Sequence, residues 1–201
     1  MEVKLLTTGT QILYMEYNAA YAALTCHDNT DKLETEDQQE FIKRAIKVQH
    51  DTIIEHITLT FEINWLSRAC LQELSRHRHT SLSVESTRHT LKKHVFDDAW
   101  CKIARQNVRV EPYVFDSEVI FLRRLFNEGM SNDEAKYYLR EYWPTQLVIT
   151  LNIRELRHIL KLRTNPAALQ EFQDLAHALC EAVPEDYRYM LKDCIYNKEE
   201  N

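Results

Sequence analysis

The sequence predicts a mixed α/β protein in which a sheet is flanked by helices. Its 201 residues, 44% of them apolar, suffice for one sizeable core but not for two full domains, so we expect residues 1–201 to form a single domain. Apolar and polar residues alternate from Ile57 to Asn64, which indicates a strand with one buried face. Apolar residues in other segments recur at helical spacing. The chain therefore has too few strands for a barrel and too many for a helical bundle.

The N-terminal part alternates between strand and helix. The predicted elements, in order, are a strand over residues 2–6, a helix over residues 12–24, a polar loop over residues 27–31, a helix ending at residue 48 and a connection over residues 50–55. The second of these helices begins with a capping box of Thr35 and Gln38, because a hydroxyl followed three residues later by Gln satisfies two orphan N–H groups.

The part after the alternating strand is mainly helical. Its predicted elements are a helix over residues 65–75 that ends before Arg76, a polar surface or cleft segment over residues 76–93, a helix over residues 131–141, a strand over residues 146–151 and helices over residues 152–163, 165–183 and 184–194. Ser131 and Glu134 form a second capping box, and Asn165 is an N-cap followed by Pro166 at the first helical position.

The overall charge and the glycine count exclude several classes of binding protein. The chain has 31 acidic and 25 basic residues and a net charge of −6, whereas constitutive nucleic-acid or membrane-surface binders favour a basic balance. Its two glycines, Gly9 and Gly129, cannot form a GxGxxG fingerprint or a P-loop. Side chains would therefore have to hold any nucleotide.

The cellular location follows from two further observations. The N-terminus lacks the charged and apolar regions of an export signal, and no window of about 18 uncharged apolar residues is present. The 5 cysteines are odd in number and widely spread, with no CxxC pair. We therefore expect a soluble cytoplasmic protein with reduced thiols and no membrane contact.

Positive charge is concentrated in residues 68–93. This segment carries six Lys or Arg residues against two acidic ones, so its net charge is +4 while the remaining chain carries −10. Guanidinium groups in such a cluster can bind phosphate oxygens in pairs, and a solvated basic loop is the alternative. An RNA-binding module is a rival of another class, but it predicts a basic chain with aromatic residues interleaved in this segment, and neither is present.

The end of the basic segment presents candidate ligand-binding side chains. If residues 84–90 are extended, Ser86 and Arg88 point to one side and Glu85 and Thr87 to the other, because side chains alternate along a strand. One hydroxyl and one guanidinium would then face the same ligand.

Histidines also occur in the basic segment. His77 lies between Arg76 and Arg78, whose positive charge favours the neutral form of the imidazole. His77 and His79 are an alternative metal pair, but no third ligand follows at a familiar spacing.

The predicted helix over residues 152–163 carries charged residues on two sides. At about 100° per residue, Arg154 and His158 lie roughly 160° from Arg163, which falls within the apolar stripe. An arginine there either reaches solvent from the helix end or lies against a buried anion. If all three residues serve one kind of site, we expect the helix to lie between subunits and to contribute to two neighbouring sites.

The sequence RHRHTSLSVESTR carries a specific motif. Arg76-His77-Arg78, followed after seven residues by Ser86, resembles the RHR-x7-S motif of the flavin-dependent thymidylate synthases (ThyX). The resemblance extends, in the order found in the family, to residues 50–52 and 55–56, to residues 135–136 and to residues 152–163. The chain is most similar to the shorter bacterial members, of the epsilonproteobacterial type.

The resemblance implies a fold, a reaction and an assembly. The implied fold has a central, mostly antiparallel or mixed sheet, and the implied assembly is a homotetramer with active sites at subunit interfaces. The implied reaction converts dUMP to dTMP, with methylenetetrahydrofolate as one-carbon donor, FADH2 as hydride source and NADPH as the reductant of FAD. No metal ion, nucleic acid or membrane is expected to take part.

The resemblance also implies roles for individual residues. Arg163 is the implied catalytic residue, since a permanently protonated guanidinium can stabilise a developing uracil anion and so activate C5. The implied FAD-binding residues are Thr52, Arg76, His77, Arg78, Asn152, Arg154 and His158. The implied dUMP-binding residues are Glu73, Leu74, Ser75, Arg76, Val84, Glu85, Ser86, Thr87, Arg88, Lys136 and Arg163.

Three residues depart from the family's pattern. Val84 stands where many members have a glutamate that contacts both ligands, so Glu73 or Glu85 supplies that contact or the contact is missing. His89 replaces a tyrosine, and Lys136 replaces an arginine and loses bidentate phosphate geometry. The alternative function is therefore a homologue that binds FAD and nucleotide without synthase activity.

Overall fold

A computed structural model describes residues 1–26, 28–35 and 37–197. The strands are β1 (Glu2–Leu5), β2 (Thr58–Ser67), β3 (Thr80–Val84) and β4 (Pro144–Asn152), and they form an antiparallel sheet in the order β1-β2-β4-β3. The α-helices are α1 (Gly9–Thr25), α2 (Gln38–Lys47), α3 (Arg68–Leu74), α4 (Thr87–Phe96), α5 (Asp98–Asn107), α6 (Pro112–Asn127), α7 (Asn132–Ala135), α8 (Ile153–Arg163) and α9 (Gln170–Ala182). The predicted mixed α/β fold class is confirmed.

The chain divides into two compact units. The first comprises residues 1–2, 63–75 and 83–147, and the second comprises residues 3–62, residues 76–82 and the chain from residue 148 onward. The organisation of residues 1–201 as one domain stays a prediction.

The core of the first unit lies around Trp143. The Trp143 ring is 1% exposed and packs on Phe115 with 5.6 Å between ring centroids. Apolar residues recur every three or four positions along α6, which gives this helix one buried face. The other buried members of this core are Leu91, Val95, Ala104, Val119, Leu122, Leu125, Phe126 and Ala135.

The second unit buries the inner faces of α1, α8 and α9. The predicted helix over residues 152–163 is confirmed, with Asn152 as its N-cap, because Asn152 Oδ1 accepts a hydrogen bond from the Glu155 N–H at 2.8 Å. Its buried apolar residues are Ile153, Leu156, Ile159 and Leu160. Those of α9 are Phe172, Leu175, Ala176 and Leu179.

The structure confirms the alternating strand and extends it. Leu59, Phe61 and Ile63 are fully buried, as their alternation predicts. The alternation stops at Trp65, whose φ of +65° is rare for a bulky residue. Because β2 continues to Ser67, the helix predicted over residues 65–75 is wrong in its first three positions.

The first predicted strand and helix are confirmed, but the loop after them is not wholly irregular. β1 and α1 lie where the sequence predicts a strand and a helix. The segment over residues 27–31, predicted as a loop, is partly a 3₁₀ helix that covers Thr30–Glu34, and His27 lies outside the described residues.

The cap predicted for α2 is wrong. Asp37 is the N-cap residue, and its Oδ1 accepts a hydrogen bond from the Glu40 N–H at 3.1 Å. The Thr35 hydroxyl instead donates to the Lys32 carbonyl at 2.9 Å. A carboxylate two residues nearer the helix has therefore taken the capping role.

Residues 84–90 are extended only as far as Ser86, which corrects a second prediction. Ser86 precedes α4 as its N-cap residue, and Thr87 and Arg88 belong to the first turn of the helix. The side chains of Ser86 and Arg88 therefore do not alternate along a strand. In α4 the buried residues are Leu91 and Val95, too few for a helical repeat to be evident.

The C-terminal predictions hold in part. The capping box of Ser131 and Glu134 is confirmed, but α7 ends at residue 135 and a 3₁₀ turn over Lys136–Tyr138 follows. Asn165 does not start a helix, since its Oδ1 bonds the Ala167 N–H within a turn and α9 begins later. The segment after Pro184 forms 3₁₀ turns over Glu185–Met190 and Lys192–Cys194.

Among the residues that the structure describes, none of the helices combines the length and the apolar composition that crossing a bilayer requires.

Candidate active site

His77 is the centre of a hydrogen-bonded cluster in the second unit. Its side chain is buried, whereas Arg76, Arg78 and His79 on either side are exposed. Arg163 Nε donates to His77 Nε2 at 3.1 Å, and His77 Nδ1 lies 3.2 Å from Glu155 Oε1. Because a guanidinium only donates, Nε2 accepts and Nδ1 carries the proton. The cluster therefore fixes one neutral tautomer of His77.

The charge state of His77 agrees with this tautomer. Burial lowers the pKa of His77 from the ordinary value of 6.5, and the positive charge of Arg163 lowers it further, against the opposite effect of Glu155. The predicted direction is confirmed, but Arg163 is the cation responsible, rather than the exposed Arg76 and Arg78.

Arg163 is half-buried at the last residue of α8. Its guanidinium carbon lies 4.5 Å from the centroid of the Phe172 ring, a cation–π contact. The same ring and the His77 imidazole are arranged edge to face, with 5.7 Å between centroids. Arg163 is thus held at the helix end against an aromatic face, which is intermediate between the two alternatives predicted for it.

The two sides of α8 meet in this cluster. The rings of His77 and His158 lie edge to face at 5.8 Å, while His77 also bonds Arg163. A single copy of α8 therefore brings His158 and Arg163 to one residue. Arg163 is not among the residues that line the pocket along α8, so the expectation that this helix contributes to two neighbouring sites stays a prediction.

An open pocket of about 510 Å³ lies along α8. Its lining residues are Asp51, Glu55, His79, Asn152, Arg154, Glu155, Arg157, His158 and Lys161. Arg154 forms an ion pair with Glu55, and both side chains are about half exposed. Three of the predicted FAD-binding residues, Asn152, Arg154 and His158, thus share one concave surface.

The sequence predictions missed several members of this pocket. Lys161 is exposed on the outer face of α8, where a lysine is ordinarily only solvated. Arg157 is buried and forms a bidentate pair with Asp193, each contact at 2.6 Å, and it also donates to the Met190 carbonyl at 2.5 Å. The spacing along α8 could have indicated Lys161, but no local signal indicates a partner 36 residues away.

Thr52 does not line the pocket along α8, although the preceding residue Asp51 does. Thr52 is exposed at the start of the 3₁₀ turn Ile53–His56 and lines a different, mainly apolar pocket of about 290 Å³ with Phe41, Val48 and His50. Its place in a flavin site stays a prediction.

The predicted dUMP-binding residues of the first unit occupy three places. Glu73, Leu74 and Ser75 end α3, and Leu74 is fully buried, so any contact that it makes with a ligand falls to its backbone. Glu85 and Ser86 form the turn between β3, which ends at Val84, and α4, which begins with Thr87 and Arg88. Lys136 follows α7 and lies 5.5 Å from the Tyr137 ring centroid.

Arg88 has an anionic partner in this structure. Its Nε and Nη2 donate to Asp133 Oδ1 and Oδ2 at 2.5 and 2.9 Å, and both side chains are more than half exposed. The bidentate fork of Arg88 is therefore already oriented at the surface, where a phosphate could replace Asp133.

The arrangement of potential metal ligands and the protonation of the cysteines both follow from the structure. Within the described ranges, no group of three or more His, Cys, Asp or Glu side chains is arranged to hold a metal ion. Burial raises the pKa of Cys101 and Cys180, and it raises that of Cys194 to about 12. These thiols are therefore protonated at neutral pH, and no cysteine lines the α8 pocket.

Comparison with known proteins places these features in a family. The family model described as "Thymidylate synthase complementing protein" matches residues 11–187. A flavin-dependent thymidylate synthase of Campylobacter jejuni is 37% identical over 190 residues, which cover 88% of this chain and 91% of that protein. One of Wolinella succinogenes is 39% identical over 183 residues, 85% of this chain and 90% of that protein.

A solved structure gives the same result. The crystal structure of Thymidylate Synthase X from Helicobacter pylori, with FAD and dUMP, matches 98% of this chain and 100% of its own with a TM-score of 0.81 and 34% identity. The resemblance to the family that the RHR-x7-S motif indicates is thereby confirmed over almost the whole length of the chain. This chain belongs to the flavin-dependent thymidylate synthase family.

Proposed function

We propose that this protein is a flavin-dependent thymidylate synthase that converts dUMP to dTMP and binds FAD. One observation carries the proposal: a Helicobacter pylori protein whose structure contains FAD and dUMP has a similar fold over 98% of this chain. Relatives that are 37% and 39% identical over most of their length bear the same name.

The chemistry of the α8 pocket fits FAD. FAD carries a negatively charged pyrophosphate, and Arg154, His158 and Lys161 present exposed basic groups along the pocket. The ion pair of Arg154 with Glu55 lies at the surface, where such pairs contribute little stability, so a ligand can replace it. Arg154, Asn152 and His158 are the residues that would hold FAD here, and when bound it supplies the hydride of the reaction.

Arg163 is the residue that would activate the uracil. Its guanidinium stays protonated at any working pH, so it can stabilise negative charge on the ring and increase electron density at C5 without transferring a proton. Neutral His77 accepts from Arg163 Nε and is itself held by Glu155, which limits the rotation of the guanidinium. His77 and Glu155 thus orient Arg163 before the substrate arrives.

Ser86, Arg88 and Lys136 would bind the phosphate of dUMP. Ser86 and Arg88 lie at the N-terminus of α4, with exposed side chains, and Lys136 follows α7. The phosphate dianion would compete with Asp133 for Arg88, and the bidentate geometry that Arg88 already adopts suits two phosphate oxygens.

The remaining parts of the proposal concern co-substrates and assembly. Methylenetetrahydrofolate is proposed as the one-carbon donor and NADPH as the reductant of FAD. The protein is proposed to act in the cytoplasm as a homotetramer with active sites at subunit interfaces. Thr52, Arg76 and Arg78 are proposed to complete the FAD site.

A direct assay tests the proposal. Protein saturated with FAD is supplied with dUMP, methylenetetrahydrofolate and NADPH, and dTMP is measured by chromatography. Reactions without each co-substrate, and light-scattering measurement of the molar mass, test the co-substrates and the tetramer. Formation of dTMP supports the synthase; tight binding of FAD and dUMP without turnover supports the inactive homologue; no binding of FAD contradicts both.

A further inference from the structure

His94 and Glu85 form an inward-facing pair in the first unit. His94 Nε2 donates to Glu85 Oε1 at 2.5 Å, and the two side chains are 14% and 12% exposed. Burial alone would favour the neutral acid, but the hydrogen bond and the charge of His94 outweigh it and lower the pKa of Glu85. Glu85 is therefore an anion whose main partner is His94, with smaller contributions from a hydrogen bond with Thr90 and from the charge of Lys93.

The orientation of the His94 ring is fixed by its surroundings. The ring stacks on Trp100 with 4.3 Å between centroids and 15° between planes. Trp100 in turn packs against Trp65 and Trp143, each at 5.8 Å. The Cys101 thiol donates to the His94 carbonyl at 3.3 Å, so both the ring and the backbone of His94 are held.

Glu85 is anchored through its backbone as well. Its N–H donates to the Gln146 carbonyl at 2.9 Å, where β4 begins. Val84 ends β3 and Ser86 has extended backbone angles, with φ −90° and ψ 110°. Neighbouring side chains in an extended chain point in opposite directions, so an inward Glu85 directs Val84 and Ser86 outward. Both of these residues are exposed, and α4 starts immediately after them.

We propose that His94 is a positioning residue for the substrate: by holding Glu85 inward, it fixes the turn that presents Ser86 and Arg88. The inference rests on the proposed function, in which those two side chains bind the phosphate of dUMP. Glu85 then affects the binding of dUMP through the backbone that it anchors. It does not replace the glutamate that many family members have at the position of Val84. His94 itself contacts no substrate.

The test uses FAD-loaded full-length protein and four variants. His94→Phe keeps an aromatic ring against Trp100 but removes the donor to Glu85. His94→Gln places an amide N–H near the position of Nε2 and should restore the bond. In His94→Asn the side chain is too short to reach Glu85. This variant is used in place of His94→Phe if the Phe variant does not fold. His177→Gln, an exposed histidine on α9, is the matched control. Isothermal titration gives the Kd for dUMP and for FAD, and steady-state kinetics give KM and kcat.

We expect His94→Phe to raise the Kd and KM for dUMP by about tenfold, the effect of removing the main partner of a buried charge. The change in kcat should be less than about threefold and the Kd for FAD should stay unchanged, since the turn binds ground and transition states alike. His94→Gln should lie close to wild type.

Other results overturn the inference. Wild-type affinity for dUMP in the Phe or Asn variant would mean that the pair does not position the turn. An equal loss of FAD and dUMP binding, or a Gln variant as weak as Phe, would mean a general role in folding. If the wild type itself binds no dUMP, the proposed function fails and this inference fails with it. Titration of the wild-type protein with dUMP separates this outcome from the others.

Discussion

Replacing Glu155 by Leu tests whether the fixed tautomer of His77 matters for activity. Glu155 is buried and its Oε1 is the acceptor for the proton on His77 Nδ1, while Arg163 donates to Nε2 on the opposite side of the ring. Leu removes the acceptor and keeps most of the volume. The Nδ1–H group is then buried without a partner, and the alternative tautomer would direct an N–H group at the donor of Arg163.

The size of the effect follows from these two hydrogen bonds. Either tautomer loses at least one bond, and an unsatisfied buried polar group costs about 1–3 kcal/mol. If this cost falls on the arrangement that holds Arg163, kcat/KM for dUMP should fall by about 10- to 100-fold. The variant also loses a carboxylate from the first turn of α8, which should cost about 0.3–1 kcal/mol of folding stability.

Glu155→Gln is the matched control, because it loses the same charge but keeps an oxygen that accepts from Nδ1–H. We expect its kcat/KM to stay within about threefold of wild type. The assay is dTMP formation at varied dUMP, with thermal unfolding and FAD titration to establish that both variants fold and bind cofactor. Full activity in the Leu variant would refute the orienting role of His77, and an equal loss in the Gln variant would show that charge, and not the acceptor, is what matters.

Three further predictions concern other groups of the site. Arg163→Ala should lower kcat/KM for dUMP by about 100-fold or more. Arg163→Lys should recover only part of the lost kcat/KM, because an ammonium lacks the planar fork of a guanidinium. Steady-state kinetics check this, and an Ala variant with a kcat/KM near wild type contradicts it. Burial and Arg163 lower the pKa of His77 in the folded protein. As the pH falls through 6.5, the unfolded chain therefore takes up a proton that the folded protein does not. The free energy of unfolding should decrease below that pH until the pKa of the folded state is reached. Urea denaturation at about pH 7.5 and pH 5.5 should show a smaller decrease for His77→Gln, and equal decreases in both proteins are the contrary result. Replacing all 5 cysteines, with Ala at the buried positions, should leave dTMP formation measurable because the thiols of Cys101, Cys180 and Cys194 are protonated; complete loss in a folded variant would show that a thiol is essential.

The sequence predicted those parts of the fold in which local pattern and tertiary packing agree. β2 alternates because one face is buried, and α8 combines an N-cap at Asn152 with an apolar stripe. α4 was not predicted as a helix, since its charged residues leave only Leu91 and Val95 to indicate a buried face. The start of α3 was misplaced because Trp65 adopts a positive φ that no propensity for a bulky residue predicts.

The candidate site could be predicted from the sequence only at the level of residue types. The RHR motif indicates an anion or cofactor site, but it does not indicate which of its three residues is buried. That difference depends on Glu155, which lies 78 residues from His77, and on Arg163, which lies 86 residues from it. Contacts over such separations are decided by topology, so a single sequence carries no local signal for them.

The burial of His77 explains why the motif alternates basic residues with histidine at this position. Arg76 and Arg78 remain exposed, where a guanidinium costs no desolvation, while the residue between them enters the core beside α8. A third arginine at the buried position would place two permanent cations together, since Arg163 Nε lies 3.1 Å from His77 Nε2. An imidazole avoids that repulsion because it can be neutral there, and burial together with Arg163 keeps it so. His77 can thus accept from the cation that the proposed chemistry requires, without reducing the positive charge that Arg163 would offer to the uracil in the proposed reaction.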